Sequence, residues 1–300
     1  MLQTLKNAWK TVDIRKKLIY TLIILLLYRI GTVIPVPFVK ATGFASSFGG
    51  TILGYLDTLS GGALQFATLF ALGISPYITG SIIIQLLTIA IPALERLAKE
   101  EDGRQKIERI TRYTGIGLAL VQSIGIVMGL QNQYGVVANP GFLTYLTIGI
   151  VCTAGTAFLV WLGERISEKG IGNGISFIIF ASIVSQVPTV VVSMISGVVN
   201  GTYRWWILPV LLVFVLVMVT GVVAVDRAVR RIPVQYAKRV VGRKMYGGQS
   251  TNIPLKANAN GVMPLIFAMT LIQVPAMIGQ FRPDSGFYAF WQKWMMPGQT

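Results

Sequence analysis

The chain contains no histidine and a single cysteine, Cys152. Without imidazole there is no histidine acid–base catalysis, and with one thiol there is no internal disulfide, no His/Cys metal site and no haem ligation. Cys152 reads as a small buried packing residue. Charge is scarce too, at 12% of residues, and all eleven Asp and Glu fall outside the long apolar stretches. Ion-driven pumps and carriers depend on ionisable relays at membrane depth, so this distribution argues against them. No nucleophile motif accompanies the missing histidine, which argues against an intramembrane enzyme. No cofactor is expected.

What is abundant is apolar surface: 53% of the 300 residues are hydrophobic. It is gathered into seven stretches, near 18–34, 67–91, 114–131, 142–162, 171–196, 207–225 and 257–280. Each approaches the roughly 20 residues that cross about 30 Å of hydrocarbon, so the expected fold class is an all-α integral membrane protein. The amino-terminal tail and every second loop hold 5, 6, 2 and 8 Lys/Arg, against 1, 0, 1 and 2 in the opposite loops. Basic loops stay cytoplasmic, which places the amino terminus inside and residue 300 outside. The net charge of +15 thus belongs to cytoplasmic loops, where insertion bias and anionic lipid account for it without nucleic acid. The first stretch lacks a small-residue cleavage signature and is expected to remain as a span. Arg29, the one charge inside a span, is placed to snorkel to the interface.

Between the spans, three segments carry organisation. Leu2, Leu5, Ala8, Trp9 and Val12 recur at helical spacing among basic residues, as in an interfacial amphipathic helix. Segment 35–66 is too polar and Gly-rich to cross, yet Ile52, Tyr55, Leu56 and Leu59 follow one helix face up to Gly61 and Gly62. A short half-helix on the outer side is the expectation, and non-spanning backbone at membrane depth implies surrounding protein or a cavity. The loop at 226–256 has two strand-like runs around Gly242 and Gly247–Gly248, so it reads as a projecting hairpin with a basic tip. Gly73, Pro76 and Gly80 interrupt the second stretch, and Gly170, Gly172 and Gly174 precede the fifth. The latter set lacks the Gly-Lys-Ser/Thr ending of a phosphate loop and reads as an irregular helix start with close backbone packing.

Taken in order, RIGTVIPVP at 29–37, SGGAL at 60–64, FALGISPYITGSIIIQLL at 70–87, WLGERISEKGIGNGIS at 161–176, RRIPVQYAKR at 230–239 and QSTNIPLKANANGVMPLIFA at 249–268 resemble the SecY family of protein-translocation channels. The resemblance implies a helical bundle of two inverted halves of five spans with a re-entrant plug. In this chain it implies four spans within 1–170 with a plug segment at 49–64, a fifth at 171–196, and the start of the second half at 207–300 with the cytoplasmic loop 226–256. Seven of the family's ten spans are then present, and the sequence is expected to be a truncated or incompletely represented chain.

The activity implied is a channel that passes unfolded polypeptides across a bacterial plasma membrane and releases hydrophobic segments sideways into lipid. By the same resemblance, Ile74, Ile78, Ile175, Ile179 and Ile266 form a pore ring. Branched aliphatic side chains seal without offering hydrogen bonds to water. Ile52, Tyr55, Leu56 and Leu59 belong to the plug, with Gly61 and Gly62 as its hinge, so that bulky residues there would hinder its movement. Gln85, Gln122 and Asn258 lie on lateral-gate spans, where polar contacts between membrane helices are worth about 0.6 kcal/mol. Arg230, Arg231, Lys238, Arg239, Arg243 and Lys244 would dock a SecA-like motor or the ribosome. Further implied partners are SecE- and SecG-like small subunits, signal-sequence-bearing polypeptides and anionic lipids. The competing reading is a secondary transporter of a small solute, suggested by interrupted helices.

Overall fold

The computed structural model describes residues 10–39, 52–100, 102–234, 239–241, 244–246 and 251–256, with the single positions 268, 272, 275, 279, 286 and 290. Eight described helices run in the order α1 (Val12–Gly31), α2 (Ile52–Ser60), α3 (Ser75–Ala90), α4 (Pro92–Lys99), α5 (Gly103–Tyr134), α6 (Phe142–Lys169), α7 (Gly174–Val199) and α8 (Ile207–Arg227). Four strands follow: β1 (Val229–Val234), β2 (Arg239–Val241), β3 (Lys244–Tyr246) and β4 (Thr251–Lys256). By contact the chain separates into two compact units, with a boundary between Val190 and Val191.

Helices α5, α6, α7 and α8 are each long and apolar enough to cross a membrane, and α3 with α4 makes a fifth candidate bent by 102° at the break between them. The bend has a local cause. Pro92 opens α4 at its first turn, where a missing N–H costs nothing, and holds Ile91 extended at φ −107°, ψ 111°. Helix α1 carries Asp13, Arg15, Lys16, Lys17 and Arg29, too many charges to qualify on composition. The second apolar stretch departs from its expected course: residues 61–74 form turns, and the helix begins at Ser75 with Pro76 in its first turn. Backbone pairing explains the delay, since Val36 N–H donates to Ala67 O (2.9 Å) and Leu69 N–H to Ile34 O (2.8 Å), tying this segment to the end of α1 rather than to itself.

In the first unit, α3 packs on α5, α5 on α6, and α6 on α1. Small residues make these approaches possible: a Cβ on Gly80 of α3 would lie 3.0 Å from the backbone of Gly115 on α5. Arg112 and Glu164 add an ion pair of 2.6 Å between α5 and α6. Two cores result. One gathers Val36, Leu64, Leu72, Ile126, Ile148 and Cys152, so the lone thiol is the buried packing residue that its sequence context suggested. The other gathers Ile24, Tyr28, Phe70, Ile74, Leu159, Leu162, Ile166 and Ile178.

In the second unit, α8 has no buried residue. Beyond it, β1 pairs antiparallel with β4 from Val229↔Lys256 to Val234↔Thr251, and β2 with β3 from Arg239↔Tyr246 to Val241↔Lys244. The strand-like runs in the loop thus pair as antiparallel strands, as a hairpin requires.

Candidate functional site

Helix α2 is a single short half-helix, and its carboxyl end is the best-defined part of the site. It stops in a Schellman motif: Gly62 N–H donates to Asp57 O (2.9 Å) and Gly61 N–H to Thr58 O (3.3 Å), with Gly61 left-handed at φ 72°. That arrangement satisfies two of the terminal carbonyls and leaves the carbonyl of Ser60 without a partner in its own helix. A side chain from α1 supplies one. The Tyr28 hydroxyl donates to Ser60 O at 3.1 Å and also lies 2.7 Å from Ser182 Oγ on α7. All three residues are buried, at 2%, 1% and 2% exposure for Tyr28, Ser60 and Ser182, and a buried phenol ordinarily requires such partners.

Further bonds fasten the same turn. Gln186 of α7 donates to Asp57 O at 3.2 Å, and the Gln65 backbone N–H donates to Asp57 Oδ1 at 2.9 Å. Burial pushes the Asp57 carboxyl above its usual range, opposed by the backbone N–H groups of Gln65 and Leu64. Gly61 faces α7 so closely that a Cβ there would stand 3.0 Å from both Ser182 O and Ser185 Oγ. On the other side, Thr156 of α6 donates to Gly73 O at 3.3 Å, fixing the turn that leads into α3. The half-helix is thus seated by its last turn between α1 and α7, while α6 holds the turn that leads into α3.

Around this seat lies the apolar core of Tyr28, Phe70 and Ile74. Ile74 is 4% exposed, and Ile78 and Ile175 pack partly buried against the same core. The structure therefore brings three of the five ring candidates together. Ile179 is half-buried but does not pack against that core, where its neighbour Ile178 sits instead. Ile266 lies outside the described residues. The ring of Tyr28 stacks on Phe70 at 5.9 Å, and Phe70 on Phe158 at 6.3 Å, which braces the seat from the side.

The start of α7 follows from its sequence. Asn173 Oδ1 accepts from the N–H groups of Ile175 (3.0 Å) and Ser176 (3.3 Å) as an N-cap, and Gly174 packs against the carbonyl of Gly163 on α6. The glycine set is a helix start with close backbone packing, as expected from its pattern.

The gate and docking candidates are more dispersed. Gln122 is buried on α5 while Gln85 is exposed on α3, and no hydrogen bond joins them among the described residues. Asn258 lies outside those residues. Arg230 and Arg231 are exposed on β1 and, being adjacent in a strand, project to opposite faces. Arg239 and Lys244 occupy the first positions of β2 and β3, and Lys238 and Arg243 are outside the described residues. Within α2, Ile52, Tyr55 and Leu56 hold their expected helical positions, and Leu59 is half-buried.

Sequence reasoning missed the polar seat: Tyr28, Asp57, Ser60, Thr156, Ser182, Ser185 and Gln186. A signal was present. Ser182, Ser185 and Gln186 stand at i, i+3 and i+4 in an otherwise apolar span, so they form one polar face that needs a buried partner.

The family model described as SecY matches residues 68–298. The protein translocase subunit SecY of Streptomyces scabiei is 44% identical over 311 aligned residues, covering 98% of this chain, which spans 70% of that relative's length. A solved SecY channel, whose plug domain stabilises the closed state and maintains a membrane seal, superposes with a TM-score of 0.62 at 22% identity, over 90% of this chain and 58% of its own. Sec61 in the canine ribosome–channel complex from the endoplasmic reticulum superposes at 0.63 and 22% identity, over 90% of this chain and 59% of its own. The two solved structures establish the fold, and the spanning helices agree with it. The family match and the translocase relative show that this chain, a multi-pass membrane protein, belongs to the SecY family.

Proposed function

We propose that this chain forms the pore-bearing part of a protein-conducting channel, moving unfolded secretory polypeptides across the bacterial plasma membrane and releasing hydrophobic segments laterally into lipid. The observation that carries this reading is the seating of α2. A half-helix too short to span is held by hydrogen bonds from α1 and α7 beside a core that contains Ile74 and against which Ile78 and Ile175 pack. That is the arrangement of a removable plug next to an aliphatic seal. An aliphatic constriction excludes ions by dewetting and binds no particular sequence, which suits a pore for unrelated polypeptides.

In this reading Ile74, Ile78, Ile175, Ile179 and Ile266 close the ring, and α2 with Gly61 and Gly62 is the plug. Gln85, Gln122 and Asn258 lie along the lateral gate. The distribution of Lys and Arg puts the amino terminus in the cytoplasm and residue 300 on the outer side. The hairpin then projects into the cytoplasm, where Arg230 and Arg231 are exposed for an anionic or acidic partner. With Lys238, Arg239, Arg243 and Lys244 they dock a SecA-like motor or the ribosome; the similarity to Sec61 as found in a ribosome complex supports the latter. Small subunits like SecE and SecG flank the channel, and anionic lipid surrounds the basic loops.

The test places a photo-activatable side chain at Ile179 in the channel complex in its membrane and presents a stalled secretory chain. Crosslinking that requires both the signal sequence and the stalled chain is the expected result. Crosslinking to lipid alone, or crosslinking independent of the signal sequence, overturns the pore assignment.

A further inference from the structure

Two carbonyl acceptors flank a pair of buried hydroxyl groups at the seat of α2, and there are two ways of pairing them that also place a proton on the short contact between the hydroxyls. Ser182 Oγ lies 2.7 Å from Tyr28 Oη and 2.8 Å from Ile178 O, one turn back on α7; Tyr28 Oη also lies 3.1 Å from Ser60 O. Each hydroxyl has one proton to give. In the first arrangement Ser182 donates to Tyr28 and Tyr28 donates to Ser60 O. Both protons are used, and the orphan carbonyl at the end of α2 is satisfied. In the second arrangement Tyr28 donates to Ser182 and Ser182 donates back to Ile178 O, a common bond for a helical serine. Both protons are again used, and Ser60 O is not needed.

From this we propose that Tyr28 and Ser182 form a two-state hydroxyl relay that grips the last turn of α2 when it is seated and re-pairs within itself when α2 leaves. The inference rests on the reading of α2 as a movable plug. The first arrangement belongs to the seated state, because Ser60 O has no other donor among the described residues, whereas Ile178 O already receives the main-chain N–H of its own helix. The second belongs to the released state. A buried phenol that lost Ser60 O with nothing in exchange would hold the plug in place, since an unmatched buried donor costs more than a bond gains. Ser182 removes that penalty by offering the alternative acceptor. Tyr28 and Ser182 are positioning residues, and the relay predicts that their removal acts in opposite directions.

Tyr28→Phe deprives Ser60 O of its donor in the seated state alone and favours release. Ser182→Ala leaves the Tyr28–Ser60 bond intact but strands the phenol after release, and so favours seating. The expected change is about threefold to tenfold in the resting open fraction, up for Tyr28→Phe and down for Ser182→Ala, from a net hydrogen bond of ordinary strength. Because Ser182 acts through Tyr28, the double variant should match Tyr28→Phe, and Ser182→Thr, which keeps a hydroxyl, should match the unmodified chain.

The measurement is the frequency of resting channel openings for the complete channel complex in planar bilayers, beside a variant lacking residues 52–60. If that deletion does not raise the resting openings, the plug reading fails and the relay fails with it. If it raises them while the two single variants shift the same way, or while the double variant departs from Tyr28→Phe, the relay is overturned and the plug reading stands. Should Tyr28→Phe not assemble, Ser182→Ala and Ser182→Thr decide alone: fewer openings for the first and ordinary openings for the second sustain the relay, and any other pair of results overturns it.

Discussion

Helices α6 and α8 are both apolar enough to cross a membrane, yet 56% of the apolar window of α6 is buried in the structure and none of that of α8 is. The more apolar helix is the less buried one. In water that ordering would be perverse, but in lipid the hydrocarbon tails solvate Val and Leu as well as any protein core does. Helices associate there through close packing and polar contacts instead. Accordingly α6 presents Gly149, Gly155, Gly163 and Thr156 among its buried positions, while α8 is largely Val, Leu, Phe and Met. Hydropathy reports which segments enter the bilayer, and small or hydroxylated residues report which of them pack.

The sharpest way to break this comparison is to add the same bulk to a packed and to an open glycine. Gly80→Leu thrusts a side chain into the α3–α5 crossing, where even a Cβ stands 3.0 Å from the Gly115 backbone; nothing lies within 4 Å of a Cβ at Gly221 on α8. Overpacking without room to relax costs typically about 1–3 kcal/mol and sometimes more. Thermal unfolding of the purified complex should show a large loss for Gly80→Leu and a change within about 0.5 kcal/mol for Gly221→Leu. An equal loss at Gly221 would mean that the bare face of α8 meets another protein chain rather than lipid.

The same contrast explains what could be read from the sequence. Spans announced themselves through apolar runs, so α8 begins where its stretch did, at residue 207. Polar extensions did not: α5 starts at Gly103, eleven residues before its apolar stretch, and α6 continues to Lys169 beyond its own. Charged residues there pay no penalty for leaving the hydrocarbon, so hydropathy is blind to the helix. The start of α3 was displaced for another reason. The pairing of residues 34–36 with 67–69 joins segments some thirty positions apart, and no local periodicity records it. Three aliphatic ring candidates came through the resemblance, whereas the polar seat depends on α1, α2 and α7 meeting in space, which only the fold arranges.

A second comparison lies between neighbours in the seat, Gly61 and Gly62. Both have positive φ, 72° and 84°, so any side chain incurs the left-handed penalty of about 1 kcal/mol. Beyond that they differ. At Gly62 a Cβ meets side-chain ends, that of Gln65 closely and Gln186 Nε2 at ordinary contact distance, while at Gly61 it meets Ser182 O of the α7 backbone. As hinges, both would resist plug movement when enlarged. The seated geometry argues the reverse for Gly61: Gly61→Val should unseat α2 and raise resting conductance several-fold, and Gly62→Ala should change it by a smaller factor. Reduced conductance in Gly61→Val would restore the hinge interpretation.

The smallest effect separates the charge of the seat from its shape. Burial raises the Asp57 carboxyl above its ordinary value, so the seated state favours the protonated form. The sign follows: this contribution to seating is fully present below the ordinary carboxyl range near 4, and it is lost as pH rises through the higher seated value. Resting conductance should therefore fall as the pH is lowered through the seated value toward the ordinary carboxyl range. In Asp57→Asn, which keeps an oxygen for the Gln65 N–H but cannot titrate, the decline should vanish. An undiminished pH response in that variant would assign the titration to a group other than Asp57 and leave the seat held by its neutral hydrogen bonds alone.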